Sequence, residues 1–251
     1  MKTTNKILLT AFLIIIAASL ALMVYVRTQV SADMFRGVEG SMRVIEQSRV
    51  VDSFQEMDIR GGISVYIYPD TTQFIRVVAD DNLHDFIQTE LRRGVLSLSM
   101  ERHASNYDKL EVHVGAPAFV DIKVSSGAKL FANAPLVGKS FSHIVQTGAQ
   151  SNLHLYVERL YVKVQAGATA NLAGEARNVE MVSQAGAFVY AGDLVMQDCD
   201  LQARAGSINH LHILGTLTGR ARQGAIIQLT GNPDKSGFSM QQNVTIDVRR
   251  E

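Results

Sequence analysis

Between Val124 and Thr230 one short phrase recurs six times, as SSGA, QTGA, QAGA, QAGA, RAGS and RQGA. Its glycines are Gly127, Gly148, Gly167, Gly186, Gly206 and Gly224, at intervals of 21, 19, 19, 20 and 18 residues. A period near 20 is the signature of a stacked repeat, and it restricts the fold more than any other property of the chain. Apolar and polar residues alternate ahead of each glycine, as in Asp121-Ile122-Lys123-Val124, Tyr161-Val162-Lys163-Val164 and Asp200-Leu201-Gln202-Ala203. A period of two denotes a half-buried strand. The residues five and three places before each glycine are predicted to point inward: Ile122/Val124, His143/Val145, Val162/Val164, Met181/Ser183, Leu201/Ala203 and Gly219/Ala221. A second inward column follows five places after it: Ala132, Leu153, Leu172, Ala191, Leu211 and Leu229. Burying one Val or Leu contributes roughly 1.5–3 kcal/mol, so a single rung holds too few to fold alone, and the rungs must share one core.

A glycine at the same point of every rung implies a bend at positive φ, with the small residue after it keeping the corner tight. Leucine-rich and calcium-binding nonapeptide signatures are absent, and the drifting interval does not suit a strict hexapeptide repeat. The fold class expected is therefore all-β: a single-stranded parallel β-helix with ~20-residue rungs, right-handed by the usual crossover preference. Two residues before the glycines stand Ser125, Gln146, Gln165, Gln184, Arg204 and Arg222. Gln146, Gln165 and Gln184 are placed to form a surface ladder of stacked amides. Its expected role is to decorate the sheet edge; the functional alternative is a binding stripe for a polar polymer such as a glycan.

The N-terminus carries Lys2 and Lys6 and then no charge from Ile7 to Val26. Twenty apolar residues match a bilayer core of ~30 Å, and the flanking lysines favour a cytoplasmic N-terminus. The organisation expected is residues 1–6 cytoplasmic, 7–26 a transmembrane signal-anchor helix, 27–49 a juxtamembrane linker and 50–251 a single β domain. The alternative is a signal peptide cleaved after Ala32, within Val30-Ser31-Ala32, and a secreted product. With the anchor retained in the inner membrane, the β domain is expected on the exported, periplasmic side of the cell envelope. Residues 1–32 hold three bases and no acids, so the remainder has 21 bases against 24 acids, net −3. That balance excludes the basic footprint of a nucleic-acid-binding protein.

Before the repeat, strands are expected over Ile63–Tyr68, Phe74–Ala79, Glu90–Ser99 with a break at Arg93-Gly94, and Leu110–Val114, with a short helical turn near Leu83–Ile87. The tail Asn243–Val248 alternates again and reads as the last strand. No catalytic motif of the common hydrolase, zinc-protease or phosphate-loop type occurs. Asp198 and Asp200 share one side of a strand, with Asn178 and Glu180 at the same register one rung earlier, so an acidic patch is expected there. It is read as a solvated face, with a cation site as the alternative. Asp80-Asp81-Asn82 is read as a turn. Of seven scattered histidines, His210 and His212 share a strand face, read as a solvent-facing or packed pair with metal binding as the alternative. Cys199 is the single cysteine, out of phase with its acidic neighbours and therefore expected inside. No metal or cofactor is implied.

The segment Phe54…Ile59-x-Gly61-Gly62-Ile63-Ser64-Val65, then Val77-x-Ala79-Asp80-Asp81-Asn82-Leu83, Gly94-x-Leu96 and the Gly-Ala/Ser repeats, resembles the head GIN domain family over roughly residues 50–235. Gly62-Ile63-Ser64 stands where the family has its Gly-Ile-Asn-like motif. The resemblance implies an exported bacterial right-handed β-helix with an adhesin label and no assigned catalytic residue. The flanking serines common in that family's rungs are mostly Gln, Ala or Arg here. The function expected is a membrane-tethered, adhesin-like binding or structural module that is not an enzyme, with a glycan or an envelope protein as partner. The alternatives are a glycan-active enzyme bringing Asp198, Asp200 and Arg204 or Arg222 into one cleft, and a self-assembling envelope subunit, a homo-oligomer built through exposed strand edges.

Overall fold

A computed structural model describes residues 3–29, 37–241 and 243–249, and in the first of these stretches the side chains of 12–25. The chain divides into two compact units, Met1–Val38 and Glu39–Glu251. The first contains one helix, Thr3–Gln29. Among the described residues no helix is long and apolar enough to cross a membrane. The span expected over Ile7–Val26 extends beyond the described side chains at both ends, and the cleavage stretch Val30–Ala32 lies outside the described residues.

The second unit is a β-solenoid of about 7 turns. Each rung turns a corner at its glycine, and parallel strands stack on both sides of that corner. Before it, Val95–Met100, Glu56–Arg60 and Asp121–Ser125 pair in sequence with the C-terminal parts of Leu136–Gln146, Gln150–Gln165, Thr169–Gln184, Phe188–Ala203 and Ile208–Ala221. After it, Leu110–Ala116, Ser64–Pro69 and Lys129–Ala132 continue into the N-terminal parts of the long strands, then Ile226–Thr230 and Thr245–Arg249. The inward columns form the core. Ile122, Val124, Val162, Val164, Met181 and Leu201 are fully buried, as is the small residue after each glycine, from Ala128 to Ala225. Gly219 and Ala132 are only half-buried.

The corner has two residues at positive φ. Each glycine lies at +68° to +73°, and the residue before it, Ser126, Thr147, Ala166, Ala185, Ala205 or Gln223, lies at +52° to +55°. Two such residues in succession are the backbone of a type I′ turn. A Cβ built on Gly127, Gly148, Gly167, Gly186 or Gly206 would meet nothing within 4 Å, so dihedral preference and not space demands glycine. From Gly127 to Gly206 the amide of each corner glycine donates to the carbonyl of the next rung's corner, as from Gly148 to Ala166 at 3.0 Å and Gly167 to Ala185 at 3.0 Å. The ladder therefore runs unbroken through the bend, which offsets the left-handed residues.

Two further corners belong to this column. Gly61 and Gly62, at +87° and +74°, follow Arg60, the register partner of Ser125, so the Gly-Ile-Ser motif is the first corner of the solenoid. Its distance from Gly127, 65 residues, hides it from a search at 20. The intervening chain forms antiparallel additions: Val44–Arg49 on Ile75–Asp80, Phe74–Ala79 on Leu110–Gly115, and the hairpin Ile87–Arg92/Val95–Met100 turned by Arg93 and Gly94 at positive φ. The last corner uses Asn243, at +69°, one of the few non-glycine types that tolerate this region.

The linker expected over 27–49 is corrected in its second half. Val44–Arg49 is a strand of the domain, not a linker. Its own alternation is weak; what fixes it is Asp80-Asp81-Asn82, at the start of the short 3₁₀ helix Asp81–Phe86. The buried Asp80 carboxylate accepts the amides of Met42 at 2.8 Å and Lys109 at 3.1 Å. Asp81 accepts from Ser41 and the Arg43 guanidinium, which together hold its carboxyl below the usual range. Asn82 accepts from the Ser41 amide and donates to the Glu39 carbonyl at 2.8 Å.

Candidate functional site

Outward side chains of the strands before the corner fall into columns two, four, six and eight residues ahead of the glycine. The column two ahead holds Gln146, Gln165 and Gln184. Gln165 Nε2 donates to Gln146 Oε1 at 2.9 Å, Gln184 Nε2 donates to Gln165 Oε1 at 2.7 Å, and Arg204 Nε donates to Gln184 Oε1 at 2.6 Å. An amide carries both a donor and an acceptor, so like stacks on like. These groups are spent on one another.

The columns six and eight ahead behave differently. In register they are Tyr161, Glu180 and Asp200, and Arg159, Asn178 and Asp198. Together they line a groove of about 580 Å³, flanked by Ser142 and Thr218, with buried Leu160, Val179 and Cys199 in its lining. Asp198 is held by the amide of Thr216 at 3.1 Å and by its hydroxyl. Arg159, Tyr161, Asn178, Glu180 and Asp200 make no side-chain hydrogen bond or ion pair among the described residues. A second furrow of about 890 Å³ shares Asp198 and is lined by Glu158, Glu175 and Arg177, which are exposed, as are Arg159, Asn178, Glu180 and Asp200 of the first. A third depression, of about 490 Å³, lies by Arg49 and Arg76. There Arg49 is committed to the carbonyl of His84 and to Thr89, and Arg76 lies 3.7 Å from Glu46.

The acidic residues and arginines of the enzyme alternative are not brought together: Asp198 and Asp200 line the groove, whereas Arg204 is on the glutamine ladder and Arg222 lies one rung beyond it. The arginine in the groove is Arg159, legible only once rungs are aligned eight residues ahead of the glycine. Cys199 is buried, and burial with the neighbouring Asp200 carboxylate pushes its thiol up to about 12, so it stays protonated and unsuited to nucleophilic attack. Among the described residues no three of His, Cys, Asp and Glu gather as metal ligands. His210 packs edge-on against Tyr190 with centroids 5.0 Å apart. His143 is fully buried in the inward column; its Nδ1 lies 2.9 Å from the Ile122 carbonyl, and desolvation lowers its pKa to about 4.

A family model described as "Putative auto-transporter adhesin, head GIN domain" matches residues 53–233. No curated protein matches the chain. Among solved structures, one described as "a putative adhesin" from Bacteroides fragilis superposes with a TM-score of 0.76 at 16% identity, covering 86% of this chain and all of that one. Another so described, from Parabacteroides merdae, gives 0.59 at 17% identity over 85% of this chain and 97% of that one. A protein from Parabacteroides distasonis described as a "putative lipid binding protein" gives 0.67 at 10% identity, covering 85% of this chain and all of that one. At these identities the likeness is one of fold.

Proposed function

Because the chain belongs to the head GIN domain family, we propose that it is an exported, membrane-tethered, right-handed β-helix that binds a ligand at the bacterial cell envelope without catalysing a reaction. The observation that carries this reading is the groove across the Tyr161 and Arg159 columns, in which Arg159, Tyr161, Asn178, Glu180 and Asp200 make no side-chain hydrogen bond or ion pair among the described residues. A concave site of this size, with a few convergent polar groups over buried apolar ones, is the usual form of a binding site. Tethering rests on the uncharged run Ile7–Val26 of the sequence, whose 20 residues match the span of a bilayer core.

Two measurements test the reading. Beads coated with the protein should be retained on bacterial or host cell surfaces, and a panel of glycans incubated with it should return unhydrolysed. Turnover of any glycan, or no retention on any surface, overturns it. Release of the protein from membranes by alkaline carbonate would remove the tether from the proposal.

A further inference from the structure

We propose that the groove lined by Arg159, Tyr161, Asn178, Glu180, Asp198 and Asp200 holds a neutral oligosaccharide extended along the solenoid axis. This rests on the binding-module reading above and names the ligand class for that site.

The argument begins with a local conflict. Glu180 and Asp200 are register partners on adjacent rungs, about 4.8 Å apart by strand spacing. Both are acceptors only when ionised, so neither can satisfy the other, and like charges directly opposite are destabilising. The glutamine column of the same strands shows that this backbone readily supports a self-satisfied ladder. Positions that break a local rule without a local gain are where function is expected.

The chemistry of the set then narrows the occupant. Glu180, Asp198 and Asp200 outnumber Arg159, which disfavours an anionic polymer. The free carboxylates suit hydroxyl donors, while the Arg159 guanidinium and the Asn178 amide suit hydroxyl and ring-oxygen acceptors. Tyr161, half-buried at the groove, offers an apolar ring with a polar tip. A divalent cation does not fit, since no three ligands gather among the described residues. The columns run over five rungs, from Ser140 and Ser142 to Thr216 and Thr218. Four strand spacings make about 19 Å, so the site is long and narrow and suits a chain of several sugar units.

The test is a glycan array with the full chain in detergent micelles, comparing wild type with Tyr161→Ser, Asp200→Asn and a control on the other stack, Tyr190→Ser. Binding confined to neutral glycans, weakened at least about tenfold by each groove variant and unchanged by the control, is the expected result. Circular dichroism of Asp200→Asn, an isosteric change, separates a lost contact from a lost fold. Neutral-glycan binding that survives both groove variants overturns the assignment to this groove. Binding of anionic glycans that falls steeply with salt overturns the ligand class. No glycan binding while the coated beads still adhere to cells overturns this inference alone; loss of bead adhesion as well overturns the module reading beneath it.

Discussion

The glutamine ladder and the groove lie on the same strands, four residues apart, and face solvent from the same stack. In the ladder, Gln146, Gln165, Gln184 and Arg204 form a chain of hydrogen bonds in which each oxygen finds the next rung's donor. In the groove, Tyr161, Glu180 and Asp200 occupy equivalent register positions and make no side-chain hydrogen bond or ion pair among the described residues. Backbone geometry is shared, so the difference comes from the side-chain groups alone: an amide is complementary to itself at one strand spacing, and a carboxylate is not. A solenoid therefore reads the same outward position either as a structural spine or as an open site, according to one functional group.

Four experiments press on that contrast, and the interior shared by both columns gives the largest effect. His143 titrates near 4 in the fold and near 6.5 when unfolded, so the unfolded chain binds more protons between those values and stability rises with pH across them. On acidification from pH 7, the penalty begins near pH 6.5 and is complete below about pH 4, at about 3 kcal/mol. Denaturant titrations at pH 7 and pH 4.5 should show His143→Leu losing less stability than the wild type; equal losses would assign the acid sensitivity elsewhere. At the corner beside the ladder, Gly167→Val places a β-branched residue at φ +69° and should destabilise by about 2 kcal/mol, read as a lower denaturant midpoint.

Within the ladder, Gln165→Ala leaves the Gln146 oxygen and the Gln184 amide without their partner and should lose about 1 kcal/mol. Within the groove the sign reverses. Glu180→Gln supplies a donor beside Asp200, removes a like-charge pair and should stabilise by about 0.5 kcal/mol while weakening glycan binding. If Glu180→Gln instead destabilises, the groove column is already satisfied and the contrast with the ladder fails.

The repeat was legible because its determinants are local. Alternation of period two fixes which side chains face inward, and a left-handed corner admits few residues besides glycine, so Val162, Val164, Met181 and Leu201 could be placed by counting back from Gly167, Gly186 and Gly206. The burial of Cys199 followed from the same parity. Counting also aligns Glu180 with Asp200 across neighbouring rungs. Beyond that, the partner is distant in sequence. Val44–Arg49 becomes a strand only against Ile75–Asp80, and the segment leading into it is clamped by three consecutive polar residues that read as a turn. Gly62 belongs to the corner column although 65 residues separate it from Gly127, because the chain between them makes antiparallel additions before returning to the stack.

The sequence by itself determined the period, the corner and the inward faces, since each depends on the dihedral and polarity preferences of residues next to one another. Only the tertiary structure decided that Arg159, rather than Arg204 or Arg222, shares a groove with the acidic pair, and that Glu180 and Asp200 stay without a hydrogen-bond partner among the described residues while the glutamines close. Concavity and hydrogen-bond saturation belong to side chains brought together from rungs some 20 residues apart, and no single rung encodes them.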